Sequence, residues 1–167
     1  MSREIILIVH NVRSTHNVGS LFRTSDAMKV GKVYLTGYTP YPVSKNDPRL
    51  PHVAARANQQ IAKTALGAEK TVNWSHLRDI KALIKKVADS GFLVAALEQG
   101  PKSVALSKFH SSRNIALIVG NEVDGLDEPT LKLAEVSLEI PMLGQKESLN
   151  VASAAAVALY HLRFNVQ

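Results

Sequence analysis

Apolar residues recur along this chain with two spacings. Unbroken runs stand within residues 4–9 (Ile5, Ile6, Leu7, Ile8, Val9), 92–97 and 114–119, and shorter strand-like stretches of mixed polarity at 32–36 and 136–140. Unbroken runs of this length predict strands covered on both faces, as in a parallel sheet. Between them apolar residues return every three or four positions. Val18, Leu21, Phe22 and Ala27 mark a helix from Asn17, its cap, to about Met28. Leu77, Ile80, Leu83, Ile84 and Val87 mark another over residues 76–90, capped by Ser75 and stopped by Gly91.

Residues 53–66 predict a further helix ended by Gly67, residues 72–74 a short strand, and 128–134 a short helix with Pro129 in its first turn. Residues 98–108 are rich in turn formers. The segment from Gly37 to His52 holds Pro40, Pro42, Pro48 and Pro51, which exclude much helix or central strand. Lys45, Arg49, His52 and Arg56 make it basic, and the loop from Thr39 to Val53 reads as a substrate-facing lid or as a solvated insertion. From Ile140 the chain passes through a polar loop with Gly144 to an alanine-rich helix. That helix is expected to run from a Ser148 cap to about Phe164. Strands and helices alternate throughout, which predicts an α/β domain with a largely parallel sheet flanked by helices.

The length of 167 residues fits one domain, 1–167, with a sizeable core. The absence of cysteine removes disulfides, thiolate metal sites and a cysteine nucleophile. The first apolar run has five residues, too short for a signal-peptide core, and no run approaches a membrane span, so a cytoplasmic protein is expected. A formal charge of +6 favours a polyanionic partner such as nucleic acid. Aromatic content of 5% offers no obvious base-stacking surface.

Common cofactor fingerprints are missing. There is no Gly-x-Gly-x-x-Gly after the first strand, no phosphate-binding Gly-x-x-x-x-Gly-Lys-Ser/Thr, no Gly-x-Ser-x-Gly, and no familiar zinc spacing. Three polar clusters remain, each after a predicted strand: Asn11, Arg13, His16, Asn17 and Arg23; then Gly120, Asn121, Glu122 and Gly125; then Gly144, Ser148 and Asn150. Singly, each has an ordinary reading as a cap or a turn. Together they fall where open α/β sheets bind ligands.

The stretches Asn17-Val-Gly-Ser-Leu-Phe-Arg23, Val119-Gly-Asn-Glu-Val-Asp-Gly-Leu126 and Ile140-Pro-Met through Ser148-Leu-Asn-Val-Ala152 resemble the three motifs of the SpoU (TrmH) family. These are RNA ribose 2′-O-methyltransferases of the SPOUT superfamily. The motifs are in the family's order, and the resemblance spans nearly the whole chain. It implies a SPOUT-type fold with a C-terminal trefoil knot, S-adenosylmethionine as donor, and a homodimer. By the same resemblance the knotted loops follow Leu97, Val119 and Ile140. Leu97, Gly120, Ile140, Met142 and Leu149 then line the donor pocket. Arg23 is the central catalytic residue, with Asn17, Glu122, Ser148 and Asn150 around it, and Arg13 and Arg23 contact RNA. Val123 departs from the family, whose second motif often has glycine there; this bears on the geometry of that loop.

A guanidinium stays protonated, so orienting the ribose or phosphate and stabilising nascent alkoxide suits Arg23 better than proton abstraction. His16 or His10 is the candidate proton acceptor. The expected reaction is methyl transfer to a ribose 2′-hydroxyl of RNA, with transfer RNA favoured and ribosomal RNA the alternative. A single domain without a separate RNA-binding extension fits the smaller family members. Two other classes compete: a non-catalytic RNA-binding module of the same fold, and a small-molecule methyltransferase.

Overall fold

Strand β1 (Ile5–His10) is buried along its whole length. It pairs in parallel with β2 (Lys32–Thr36) on one side and β6 (Ile115–Val119) on the other. The computed structural model, which describes residues 3–165, adds β3 (Trp74–Leu77), β4 (Leu93–Leu97), β5 (Val104–Ala105) and β7 (Val136–Glu139). All pairings within this seven-stranded sheet are parallel, in the order β3-β2-β1-β6-β4-β7-β5. The helices are α1 (Thr15–Ala27), α2 (Pro51–Ala65), α3 (Ala68–Thr71), α4 (Ile80–Asp89), α5 (Glu128–Leu131) and α6 (Val151–Phe164). No helix among the described residues is long and apolar enough to cross a membrane.

The unbroken apolar runs arise because both sheet faces are covered. Ile5, Leu7, Val9, Leu117 and Val119 face one way, against Leu21 and Phe22 of α1, Ile61 of α2 and Leu159 of α6. Ile6, Ile8, Ala116 and Ile118 face the other way, against Leu83, Ile84 and Val87 of α4. One-sided strands would alternate with polar residues instead.

Helix boundaries differ from expectation where a capping side chain is shared among several candidates. Helix α1 is capped by Ser14, whose hydroxyl accepts from the Asn17 N–H; Asn17 itself lies in the first turn. Helix α6 is capped by Asn150 rather than Ser148, through bonds from the N–H groups of Ala152 and Ser153. Helix α4 starts at Ile80, capped by Asp79. Ser75 and His76, expected at its start, are strand residues instead, because β3 pairs along β2 from Val33–Trp74 to Thr36–Leu77. The turn-rich connection at 98–108 contains the short strand β5 and a 3-10 turn, Leu106–Lys108.

The proline-rich segment ahead of α2 is clamped. Arg49 pairs with Asp47 at 2.6 Å, donates to the carbonyls of Tyr41 and Pro42, and lies 3.6 Å from the Tyr41 ring centre. The bond from Arg49 holds Asp47 far below the ordinary carboxylate range. Both partners are largely buried, so this pair is shielded from screening. The opposite face of Tyr41 stacks on His76 at 4.0 Å.

Helices α1 and α2 touch at Gly19. A methyl group there would overlap the Thr64 hydroxyl and the Ile61 carbonyl. Backbone on both sides leaves little room to give, so Gly19→Ala is expected to destabilise the fold by about 1–3 kcal/mol. Denaturant unfolding of the two proteins measures this; equal midpoints would mean the helices can part without cost.

Candidate active site

The first polar cluster follows β1, the second follows β6, and the third lies between β7 and α6. All three loops leave the carboxyl ends of parallel strands; the first two meet at one carboxylate, and the third joins them through Asn17. Glu122 Oε2 accepts the Arg13 N–H at 3.0 Å; Oε1 accepts the Ser14 N–H at 3.1 Å and the Asn17 side-chain amide at 2.9 Å. The Asn17 carbonyl oxygen in turn accepts from Asn150 Nδ2 at 3.0 Å. Asn17, Glu122 and Asn150, far apart in sequence, thus form one chain of hydrogen bonds. Burial pushes the Glu122 carboxyl up, but the bonds from Arg13, Asn17 and Ser14 outweigh it and hold it below its usual range.

The loop carrying Glu122 is a tight hairpin. Asn121 and Gly125 exchange backbone hydrogen bonds at 3.1 Å, and the Asn121 side chain accepts from the N–H groups of Val123 and Asp124. The left-handed position is Gly125, at φ +66°. Val123 sits exposed at the tip without positive φ. A β-branched residue therefore fits where a family glycine often stands. Gly120 has no such latitude, since a Cβ there would lie 2.6 Å from the Gly125 carbonyl carbon.

Beside this network is a cleft. Its lining includes all five residues expected at a donor pocket, Leu97, Gly120, Ile140, Met142 and Leu149, as well as Glu122 and Ser148. Gln99 spans it, donating to the Glu147 carbonyl at 3.1 Å. Ser148 is exposed and makes no hydrogen bond among the described residues, so it is a free hydroxyl at the rim.

Arg23 stands apart. It is exposed on α1, and its side chain makes no hydrogen bond or ion pair among the described residues. Six residues separate it from Asn17, about 9 Å along the axis and a third of a turn around it. Arg13 is exposed too, 3.7 Å from Asp124. The Tyr38 hydroxyl beside it raises the Arg13 guanidinium above its ordinary pKa.

Of the candidate proton acceptors, His10 is committed elsewhere. It is buried, its Nδ1 donates to Thr36 Oγ1 at 2.9 Å, and its Nε2 accepts from Asn11 Nδ2 at 3.1 Å. This assignment follows from Thr36 Oγ1 donating to the Val9 carbonyl. His16 is exposed on α1.

Two polar residues join the site without an individual signal in the sequence. Tyr38 accepts from Asn121 Nδ2 at 2.7 Å and ties the long loop to the hairpin. Glu98, after β4, accepts the Leu126 N–H at 2.8 Å and lines the cleft. No group of acidic or histidine side chains able to hold a metal occurs among the described residues.

Comparison with known proteins gives the family and the fold. The model of the SpoU rRNA Methylase family matches residues 4–160. A 23S rRNA (guanosine(2553)-2′-O)-methyltransferase of Bacillus subtilis is 31% identical over 95% of this chain and 57% of its own length. A tRNA (guanosine(18)-2′-O)-methyltransferase of Aquifex aeolicus is 28% identical over 95% of this chain and 68% of its own. An rRNA methyltransferase from Sinorhizobium meliloti, solved with AdoMet bound, superposes with a TM-score of 0.82 at 24% identity. It covers 98% of this chain and 57% of that one, and shows the shared fold. The chain thus spans little more than half the length of two of these proteins.

The Glu122 network makes a test through acid stability. Its folded pKa lies below the unfolded value of 4.5, so its contribution is present above pH 4.5 and lost as pH falls through the folded value. The melting-temperature gap between wild type and Glu122→Gln should be constant from neutral pH to about 5.5 and shrink below that. A gap that persists unchanged in acid would mean the carboxylate charge is not what holds these loops.

Proposed function

The chain belongs to the SpoU rRNA Methylase family, and from that membership we propose that it transfers a methyl group from S-adenosylmethionine to a ribose 2′-hydroxyl of RNA. The observation that carries the reading is the hydrogen-bond chain Glu122–Asn17–Asn150 beside the cleft. Both transfer and ribosomal RNA occur in the names of the relatives. Transfer RNA is the first substrate to test, ribosomal RNA the alternative, and the cytoplasm the proposed setting.

The residues present suit the donor. Leu97, Ile140, Met142 and Leu149 offer an apolar slot, Gly120 brings backbone to its edge, and Glu98 and Glu139 add negative charge towards a cationic ligand. When bound, S-adenosylmethionine would supply an electrophilic methyl group. The cleft holds about 170 Å³, with part of its wall from the exposed segment 141–149, whose Leu143 is fully open to solvent. We assign that segment the closing wall, with Leu149 moving against the donor.

Transfer requires the 2′-oxygen to be aimed and its developing charge to be stabilised. Asn17 and Asn150, oriented by Glu122, are the positioning pair, and the Ser148 hydroxyl at the rim meets the ribose. Arg23 supplies the guanidinium. Its lack of a side-chain partner among the described residues supports a homodimer in which it serves the second copy's cleft. An exposed stripe on α6, Val157, Tyr160 and Phe164, supports the same assembly. The trefoil knot belongs to this proposal also, supported by loops after β4, β6 and β7 converging on one cleft.

Two outcomes are expected. Mapping 2′-O-methylation in cellular RNA with and without the protein should reveal one missing methyl, restored by wild type. Arg23→Ala should restore it at a rate lower by about 100-fold or more; an unchanged map would remove the reading. Separately, Tyr160→Glu with Val157→Glu should sediment as a monomer where wild type sediments as a dimer. A wild-type monomer would overturn the shared site.

A further inference from the structure

A second cavity, of about 520 Å³, lies three or four strands from the cleft, under the clamped loop at the β3 edge. Its lining joins three aromatic rings, Tyr41, Trp74 and His76, with the hydroxyls of Ser44 and Ser75 and the exposed ammonium of Lys45. The rings are held in place. Tyr41 is fixed between Arg49 and His76, Trp74 meets Tyr41 and Phe22 at 6.3 Å, and His76 Nε2 donates to the Gly37 carbonyl at 3.2 Å. The local charge is cationic, since Asp47 is taken up by Arg49 while Lys45 has no partner among the described residues. None of this belongs to the donor cleft.

We infer that this cavity is a subsite for an unpaired ribonucleotide of the substrate RNA, its base against the Trp74–His76 wall and its phosphate on Lys45. The inference rests on RNA being the substrate. Aromatic side chains with a cation at the rim form the recurring platform for single-stranded nucleic acid, because every base has a stacking face. An unpaired nucleotide is required, since a base inside a duplex offers no free face. The location fits as well. The loop over this cavity leaves the carboxyl end of β2, as the loops of the cleft leave β4, β6 and β7, while Trp74, Ser75 and His76 belong to β3 itself; three or four strands separate the two cavities, roughly 14–19 Å at the usual strand spacing. A single strand laid along that edge of the sheet can hold its reacting ribose at one end and this nucleotide at the other. Tyr38, bonded to Asn121, joins the two regions through the same loop.

Trp74 is the only tryptophan in the chain, so its fluorescence reports this cavity directly. The intact protein is titrated with 5′-phosphorylated pentauridylate and pentaadenylate, and with inorganic phosphate as control. The expected result is a saturable change in Trp74 emission with either oligonucleotide, unaltered by saturating S-adenosylmethionine and absent with phosphate alone. Lys45→Glu should weaken binding about tenfold, and Lys45→Ala should lower the slope of log affinity against log salt by about 0.7, the loss of one phosphate contact. No emission change, competition by S-adenosylmethionine, an equal response to phosphate, or a Lys45→Glu protein that binds like wild type would each overturn the subsite. Failure of this titration leaves the methylation map untouched. A map without change beside a positive titration would instead remove the methyltransferase reading and keep a nucleotide-binding cavity.

Discussion

A carboxylate surrounded by backbone N–H groups sets the geometry on which the site depends. Glu122 sits where the chain turns after β6 and accepts from the N-terminal approach of α1. Backbone donors at a helix entrance are otherwise unsatisfied and favour negative charge. The helix is thereby fixed against a hairpin more than a hundred residues away, and the Asn17 side chain is left with its NH2 donating to Glu122 and its oxygen accepting from Asn150. The hairpin can reach that position only because Gly120 lets it fold back on Gly125 without a side chain between them.

The sheet was legible in the sequence to within a residue or two for most strands, because a strand covered on both faces has no polar alternation to confuse with helix. Helix starts were less so. Asn17, Ser148 and Ser75 are all good caps by type, yet Ser14, Asn150 and Asp79 hold the positions. A cap is chosen by where the preceding strand ends, and that depends on pairing with a distant neighbour. His76 shows the same effect, since helical periodicity in its own segment gave way to pairing with β2. The cleft residues came from motif resemblance, and the structure brings them together. Tyr38 and the Tyr41–His76 stack were not legible, since nothing local marks a tyrosine as facing a histidine thirty-five residues on.

The polar side chains drawn from the three clusters fall into two groups. Asn17, Glu122 and Asn150 satisfy one another and form a rigid frame. Arg23, Arg13 and Ser148 lie outside that frame, exposed. A rigid frame with exposed cations around it suits a ligand that brings its own negative charge, because Arg23 stays solvated until the ligand arrives and Arg13 is met only by the exposed Asp124.

Arg163, near the end of α6, donates to the carbonyls of Arg3, Met28 and Lys29. It ties the last helix to the approach of β1 and the end of α1. On a ribosome the early segments emerge long before this anchor exists. β1 must also wait for β6, and Asn17 for Asn150, so few of the contacts that shape the cleft are available to a nascent chain. The cleft is therefore completed late, once synthesis has passed α6, because its walls come from segments far apart in the chain.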